Sequence, residues 1–418
     1  MTKLLAIGDM HLGRALAALP EDLRSRAREL GPEQAWKDAV RLAIEEQVDA
    51  VLLAGDLVDN SRDFFVAYGH LKKGAEALAA EGIEILAVAG NHDTEILPRL
   101  AASIDRLQLV GEGGKWQAVE LDELVVLGWS FPQPQVHSSP LASLPRWHYK
   151  KPAIGLLHCD LDQAGSDYAP VERSELEAAP VDAWLLGHIH KPDKLDSDRP
   201  MGYLGSITAL RASETGARGP WLIHVKDGGI DARHIPLAPL RFDLLEIDCS
   251  HLESTALLNE LILQAADRHL KNLVQLETRP KAVGLRIALT GQSDFAAALA
   301  DAAGSLADDN RSWPAHGLHC FVHGIESRVL PRLDLEQLAQ HPGPGGLLAQ
   351  RLLALDQPGS DEYRRLIRLA RKAMEPEWQA REFSSLNMNP TDDDMADWLR
   401  RAARQALTAL LEQRRSPS

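Results

Sequence analysis

The sequence predicts an α/β chain built on a parallel sheet, followed by a smaller α/β module and a helical end. Three observations carry this reading. Residues 4–7, 51–54 and 86–89 are short runs without charge, as apolar as strands covered on both faces must be. Between them, apolar residues recur at helical spacing, so strand and helix alternate and the strands run parallel with right-handed crossovers. Each run passes through a small turn into polar side chains, where an open α/β sheet presents its chemistry.

In chain order, the first strand delivers Asp9 and His11. Residues 14–30 are rich in Arg and Glu and read as surface; Arg14 reads as solvated, with a phosphate contact as the alternative. Pro32 opens a helix at a position proline favours, with Trp36, Ala39, Val40, Ala43 and Ile44 as its apolar stripe. The second strand leads through Gly55 to Asp56 and Asp59. Phe64, Ala67, Tyr68, Leu71, Ala75 and Leu78 then mark a helix, with Phe64 and Phe65 expected in the core. The third strand ends in Gly90, Asn91, His92 and Asp93.

From Trp116 the pattern predicts hairpin-like strands at 116–121, 124–129 and 153–157, the last ending at His158. The Pro- and Ser-rich stretch from Phe131 to His148 is expected to be a surface loop. Arg146, Trp147, Lys150 and Lys151 near it combine charge with an aromatic ring, which can hold a nucleic-acid strand or simply face solvent. Another apolar run, 183–187, ends in His188 and His190. After strands at 222–225 and 230–235, Pro236 and Pro239 mark a boundary, giving a first domain at 1–240. A small α/β domain is expected at 241–330, and a helical region at 331–418. In that last region Tyr363, Leu366, Ile367 and Ala370 form one apolar face; Trp398, Leu399, Ala402, Ala403, Ala406, Leu407 and Leu410 form another. Such faces must be buried, on the body of the protein or on a partner.

With 418 residues, 45% of them hydrophobic and 25% charged, the chain has the size of two or three soluble domains. A formal net charge of −15 argues against a protein coated in basic surface, so any polyanion must be met by local basic patches, a metal site or a partner. Cys159, Cys249 and Cys320 lie far apart with no C-x-x-C pair, which argues against a disulfide framework or zinc ribbon. No apolar run is long enough to cross a bilayer and no secretory leader is recognisable, so no membrane association is expected and the cytosol is the expected compartment.

The polar residues after the strands are Asp9, His11, Asp56, Asn91, His92, His158, His188 and His190. Taken singly, each has a plain reading as a turn or core residue. Together they form a donor set of carboxylate, imidazole and carboxamide without thiolate, suited to Mn²⁺, Fe²⁺, Zn²⁺ or Mg²⁺. The set exceeds the needs of one ion. Two ions sharing a carboxylate are the arrangement used for in-line hydrolysis of phosphate esters.

Asp9-x-His11, Gly55-Asp56, Gly90-Asn91-His92-Asp93, His158 and Gly187-His188-x-His190 resemble, in order, the five motifs of the calcineurin-like metallophosphoesterase superfamily. The resemblance covers residues 1–240 and implies a layered metallophosphoesterase sandwich. It further implies that Asp9, His11, Asp56 and His190 hold one metal and Asp56, Asn91, His158 and His188 the other, with Asp56 as the bridge. His92 would protonate the leaving oxygen, and Asp93 would orient His92. Gly55 to Asp59, Gly205-Ser206 and the segment from Glu214 to Trp221 resemble the nuclease branch of SbcD, YhaO and Mre11 type. In that branch a small α/β domain caps the site and C-terminal helices follow.

The implied function is hydrolysis of DNA phosphodiester bonds, with two divalent ions of which Mn²⁺ is the first expectation. The implied assembly is a homodimer working with a coiled-coil ATPase of the Rad50/SbcC kind, since no Walker A sequence occurs here. Archaeal and eukaryotic members carry a His where this chain has Asp59. A carboxylate cannot donate to phosphate at neutral pH, so strand polarity and cleavage mode stay open. The alternatives are a phosphatase or phosphodiesterase for small molecules or phosphoproteins, and a scaffold with a dead site.

Overall fold

The computed structural model describes residues 2–16, 19–146, 150–226, 228–276, 278–308, 312–378 and 390–415. Trp147 lies outside them. By its contacts the chain divides into two compact units. The first comprises residues 1–245, 265–286 and 309–324, the second 246–264, 287–308 and 325–418. The segment 241–330 contributes to both.

The first unit holds strands β1 (Thr2–Ile7), β2 (Ala50–Leu53), β3 (Glu84–Ala87), β4 (Leu107–Leu109), β5 (Gln117–Glu120), β6 (Val125–Trp129), β7 (Ala153–His158), β8 (Ala183–Gly187), β9 (Met201–Tyr203), β10 (Trp221–Lys226) and β11 (Gly229–His234). They form a six-stranded sheet of order β11-β10-β1-β2-β3-β4 and a five-stranded sheet of order β5-β6-β7-β8-β9. The strands β1 to β4 run parallel, as the alternation of strand and helix requires.

The expected hairpin character after Trp116 is confined to β5 and β6, which pair antiparallel. β6, β7, β8 and β9 are parallel neighbours. The long connections between them, which include the described residues 131–146, are therefore crossovers rather than loops of a meander.

The apolar runs find their cover where predicted. Leu4, Ala6, Leu52, Leu86, Val126, Ile154, Leu156 and Leu185 form one fully buried cluster drawn from both sheets. On the other side of the six-stranded sheet, Leu5, Ile7, Val51 and Leu53 pack with Trp36, Ala39 and Ala43 of the helix Pro32–Glu45 and Leu71, Ala75 and Leu78 of the helix Phe64–Ala80. Two sequence expectations need correction. Phe65 is 82% exposed, because the helical turn that buries Ala67 and Leu71 points position 65 away from the sheet. Residues 14–30 are not wholly surface: Leu19, Leu23 and Leu30 are buried against Leu240, Phe242 and Phe321.

The later strands are β12 (Leu240–Asp248), β13 (Ala282–Thr290), β14 (Gln292–Ser293), β15 (Ser312–Ala315), β16 (Leu318–Ser327) and β17 (Leu330–Pro331). β12, β13, β16 and β15 form a four-stranded sheet in that order, and β14 pairs with β17. In the second unit the C-terminal helices Pro344–Leu355, Asp361–Trp378 and Asp392–Arg415 pack much of the two predicted apolar faces against one another. Tyr363, Leu366, Ile367 and Ala370 pack with Met395, Trp398 and Leu399, while Leu407 and Ala403 pack with Ala349 and Leu352. The first face is thus covered within the unit, whereas the second is covered only in part: Leu407 is buried, Trp398, Leu399, Ala403 and Leu410 are half-buried, and Ala402 and Ala406 are exposed.

Candidate metal centre

The carboxyl ends of β1, β2, β3, β7 and β8 carry every residue of the predicted constellation, His158 as the last residue of β7 and the others in the loops that follow. Four of these residues, Asp9 (φ 43°), His11 (φ 47°), Asp56 (φ 52°) and His188 (φ 102°), have left-handed backbone that non-glycine residues avoid. Strain held at several candidate ligands points to a site that dictates local geometry. The turns also need glycine: a Cβ at Gly90 would meet the Asp56 carboxylate, and Gly55 (φ 87°) would bring one to 2.6 Å from His158 Nδ1.

Backbone donors tie the loops together. His188 N donates to Asp9 Oδ1 at 2.9 Å and His92 N to Asp56 Oδ1 at 3.0 Å.

The predicted ligands gather into two groups, Asp9 with His11 and His190, and Asp56 with His158 and His188, while a third group joins His11 to Asp59 and His92; within each, one ligand atom per residue lies within 4.8 Å of the others. Asp56 Oδ2 is 3.8 Å from His11 Nε2 and 3.6 Å from His158 Nε2, so one carboxylate oxygen faces both groups. Asn91 Oδ1 is 3.0 Å from His158 Nε2.

The outward ring nitrogens settle which inner ones are free to ligate. His11 Nδ1 is 3.1 Å from Asp59 Oδ1, His158 Nδ1 3.0 Å from Ala54 O, His190 Nδ1 2.8 Å from Glu214 Oε1, and His188 Nε2 3.2 Å from Asp160 Oδ1. A carbonyl or ionised carboxylate can only accept, so each of these ring nitrogens donates. The inner nitrogens of neutral rings are then lone pairs. They face each other at 3.1 Å between His11 Nε2 and His190 Nε2, and at 3.3 Å between His188 Nδ1 and His158 Nε2. Facing lone pairs at such distances repel unless a cation sits among them, and an oxygen behind each ligating imidazole is the usual support of a metal site.

The electrostatics agree. Burial pushes His158 down to about 4 and lowers His11, so both rings are neutral and available near neutral pH. Burial raises Asp9 well above the usual carboxylate range, and the charge of Asp56 adds to this. Asp9 Oδ2 is buried without a hydrogen-bond partner, a gap that a divalent cation would fill. At Asp56 burial also pushes upward, but the imidazoles around it and the hydrogen bond from His92 N lower it overall. The hydrogen bond from His11 holds Asp59 down at about 2. The donor set therefore fits two divalent ions of the borderline to hard class.

His92 differs from the other imidazoles. It is exposed, its Nδ1 lies 3.2 Å from the Asp59 carbonyl oxygen, and its ring meets the edge of His11 at 5.2 Å. The expectation that Asp93 orients it is corrected by geometry. Asp93 is fully buried, and its two oxygens accept Leu57 N at 2.7 Å and Gly90 N at 2.8 Å, joining the loops after β2 and β3. Sequence reasoning missed Asp160, Glu214 and the orienting role of Asp59, because each supports a histidine far away in the chain. Asp160 follows His158 by two positions yet supports His188, and no spacing rule could have paired them.

Arg14, read from sequence as solvated, pairs with Asp59 at 3.0 Å. Arg146 and Lys150 are exposed, and Lys151 bonds Glu120 at 3.3 Å.

Residues 2–192 match the family model described as calcineurin-like phosphoesterase. An uncharacterized metallophosphoesterase, YhaO of Bacillus subtilis (strain 168), is 30% identical over 251 residues, covering 53% of this chain and 57% of that protein. DNA double-strand break repair protein Mre11 of Aeropyrum pernix is 29% identical over 242 residues, 52% of this chain and 56% of its own length. Its counterpart in Haloferax volcanii is 28% identical over 265 residues, 59% of this chain and 55% of its own. The chain thus spans little more than half the length of these curated relatives.

Proposed function

We propose that this protein, whose residues 2–192 match the calcineurin-like phosphoesterase family model, is a metal-dependent phosphodiesterase that cleaves DNA with a dimetal centre of the kind that family uses. The observation that carries the nucleic-acid reading is a groove of about 600 Å³ that starts at Gly13 and Arg14, beside His11, and is lined by Arg28, Lys73 and the exposed ring of Phe65. Cations that track a backbone beside an aromatic surface are what single strands bind. That the Mre11 relatives are DNA double-strand break repair proteins by name supports the same reading.

Asp9, His11, Asp56 and His190 would hold one ion, and Asp56, Asn91, His158 and His188 the other. When bound, such a pair polarises the phosphoryl oxygens and provides an activated nucleophile at neutral pH. The chain's own residues do the rest. Asp59, Glu214, Asp160 and the Ala54 carbonyl fix the ring orientations, so the ligands need little rearrangement on loading. His92, exposed at the rim of this group, is placed to give a proton to the leaving oxygen. Mn²⁺, a second copy of the chain, a coiled-coil ATPase partner and a cytosolic setting belong to the same proposal through the resemblance to the nuclease branch. The C-terminal helices cover most of their apolar faces among themselves, which leaves the exposed part around Ala402 and Ala406 for a partner.

The test is incubation of Mn²⁺-loaded protein with end-labelled duplex and single-stranded DNA beside a chromogenic bis-phosphoester. Turnover of both DNA and the small ester is expected. Turnover of the small ester alone would replace this reading with a small-molecule phosphodiesterase.

A further inference from the structure

A second charged cavity on the first unit has no part in the metal centre. One wall is the polar face of the helix Pro32–Glu45, where Gln34, Lys37, Asp38 and Arg41 follow one another at helical spacing. The other is the segment of Arg279 and Lys281, pinned by a hydrogen bond from Thr278 Oγ1 to Pro236 O at 2.5 Å. The cleft measures about 450 Å³ and gathers Lys37, Arg41, Arg279 and Lys281 against a single lining carboxylate, Asp38. That carboxylate is already taken by Arg41 at 3.2 Å, and Arg41 also lies 3.6 Å from Glu45. Among the described residues no salt bridge holds Lys37, Arg279 or Lys281, although Lys281 lies in the field of Glu29.

Three cations that no salt bridge holds among the described residues, gathered around one cavity, stand out in a chain with 60 acidic and 45 basic residues and a net charge of −15. Like charges held this close repel, so the cavity favours an anionic occupant. Its lining includes no aromatic ring on which a base could stack, so recognition would be by charge and not by base. Contacts of this kind position a nucleic acid without reading its sequence.

We propose that this cleft binds backbone phosphates of the DNA substrate, as a contact separate from the metal centre and independent of sequence. The proposal rests on the nucleic-acid reading given above. It answers how a strongly acidic chain would retain a polyanion: by a few cations concentrated in concave places.

The experiment compares wild-type full-length protein with the triple variant Lys37→Ala, Arg279→Ala, Lys281→Ala. Duplex DNA binding is measured across a salt series with divalent ions chelated, and turnover of the chromogenic bis-phosphoester with Mn²⁺ restored. If the three cations neutralise phosphates, the slope of log K against log salt becomes shallower by about 2–3 in the variant, at about 0.9 per contact. Turnover of the small ester stays unchanged. Equal affinity and slope in the two proteins, with DNA still bound, would overturn the cleft and leave the substrate reading standing. Wild-type protein that binds no DNA would overturn both. A charge-preserving variant, Lys37→Arg with Lys281→Arg, should bind like wild type; loss of binding there would show that packing and not charge is at work, and would also reject the proposal.

Discussion

Asp93 separates a structural from a catalytic account of the Gly-Asn-His-Asp motif, and Asp93→Ala is the perturbation that decides. The wild-type carboxylate is fully buried and accepts the backbone N–H groups of Leu57 and Gly90 at 2.7 and 2.8 Å. Alanine leaves both donors buried without a partner. Each such group costs about 1–3 kcal/mol, so the variant should lose about 2–6 kcal/mol of stability. That is a large part of the roughly 5–15 kcal/mol a domain has in hand.

The assay is urea unfolding of chelated protein, read as a lower midpoint at constant slope. Asp93→Asn retains one acceptor oxygen but turns an amide toward the second donor, so an intermediate loss is expected. A variant with unchanged midpoint and a large fall in kcat would refute the structural role and restore Asp93 as the partner of His92.

Three further outcomes are expected. Asp56→Ala should reduce bound metal measured on purified protein, because the oxygen that faces both groups is gone; two equivalents retained would reject Asp56 as the bridge. His92→Ala should keep the metals and lower turnover by about 10²–10⁴-fold on an ester with a poor leaving group. The loss should shrink when the leaving group needs no proton, and equal losses would mean that His92 only positions phosphate. Burial holds His234 down to about 4 against an ordinary 6.5, so it is neutral in the native state while the unfolded chain takes up a proton below 6.5. Its contribution is present above 6.5 and lost as pH falls toward 4, by up to about 3 kcal/mol. Thermal unfolding of His234→Phe should show a weaker acid decline, and an identical decline would exclude this residue as a source.

The parallel strands and their polar ends were legible because burial on both faces leaves a nearly uninterrupted apolar run, and because chemistry collects at carboxyl ends. Residues 4–7, 51–54 and 86–89 carry that signal without help from the rest of the chain. The supports of the histidines were not legible. Glu214 reaches His190 and Asp59 reaches His11 only after the sheets bring distant loops together. Phe65 failed for a different reason: two adjacent aromatics cannot share one helical face, and the stripe marked by Phe64, Ala67, Tyr68 and Leu71 already left position 65 outside it. The parallel order of β6 to β9 was hidden by short segments whose crossovers carry little helix.

The two donor groups draw on both sheets. Asp9, His11, Asp56 and Asn91 follow strands of the six-stranded sheet, and His158, His188 and His190 follow strands of the five-stranded one. An ion in either group is therefore a rivet across the seam of the sandwich. Any ligand that binds only the folded state stabilises it by mass action, about 2.7 kcal/mol at a hundredfold excess over its Kd. Here that gain falls on the separation of the two layers. Chelation should accelerate amide exchange at the carboxyl ends of β1, β2, β7 and β8 while the centres of the same strands keep their protection, so the protein would report its own loading state through how tightly its layers stay closed.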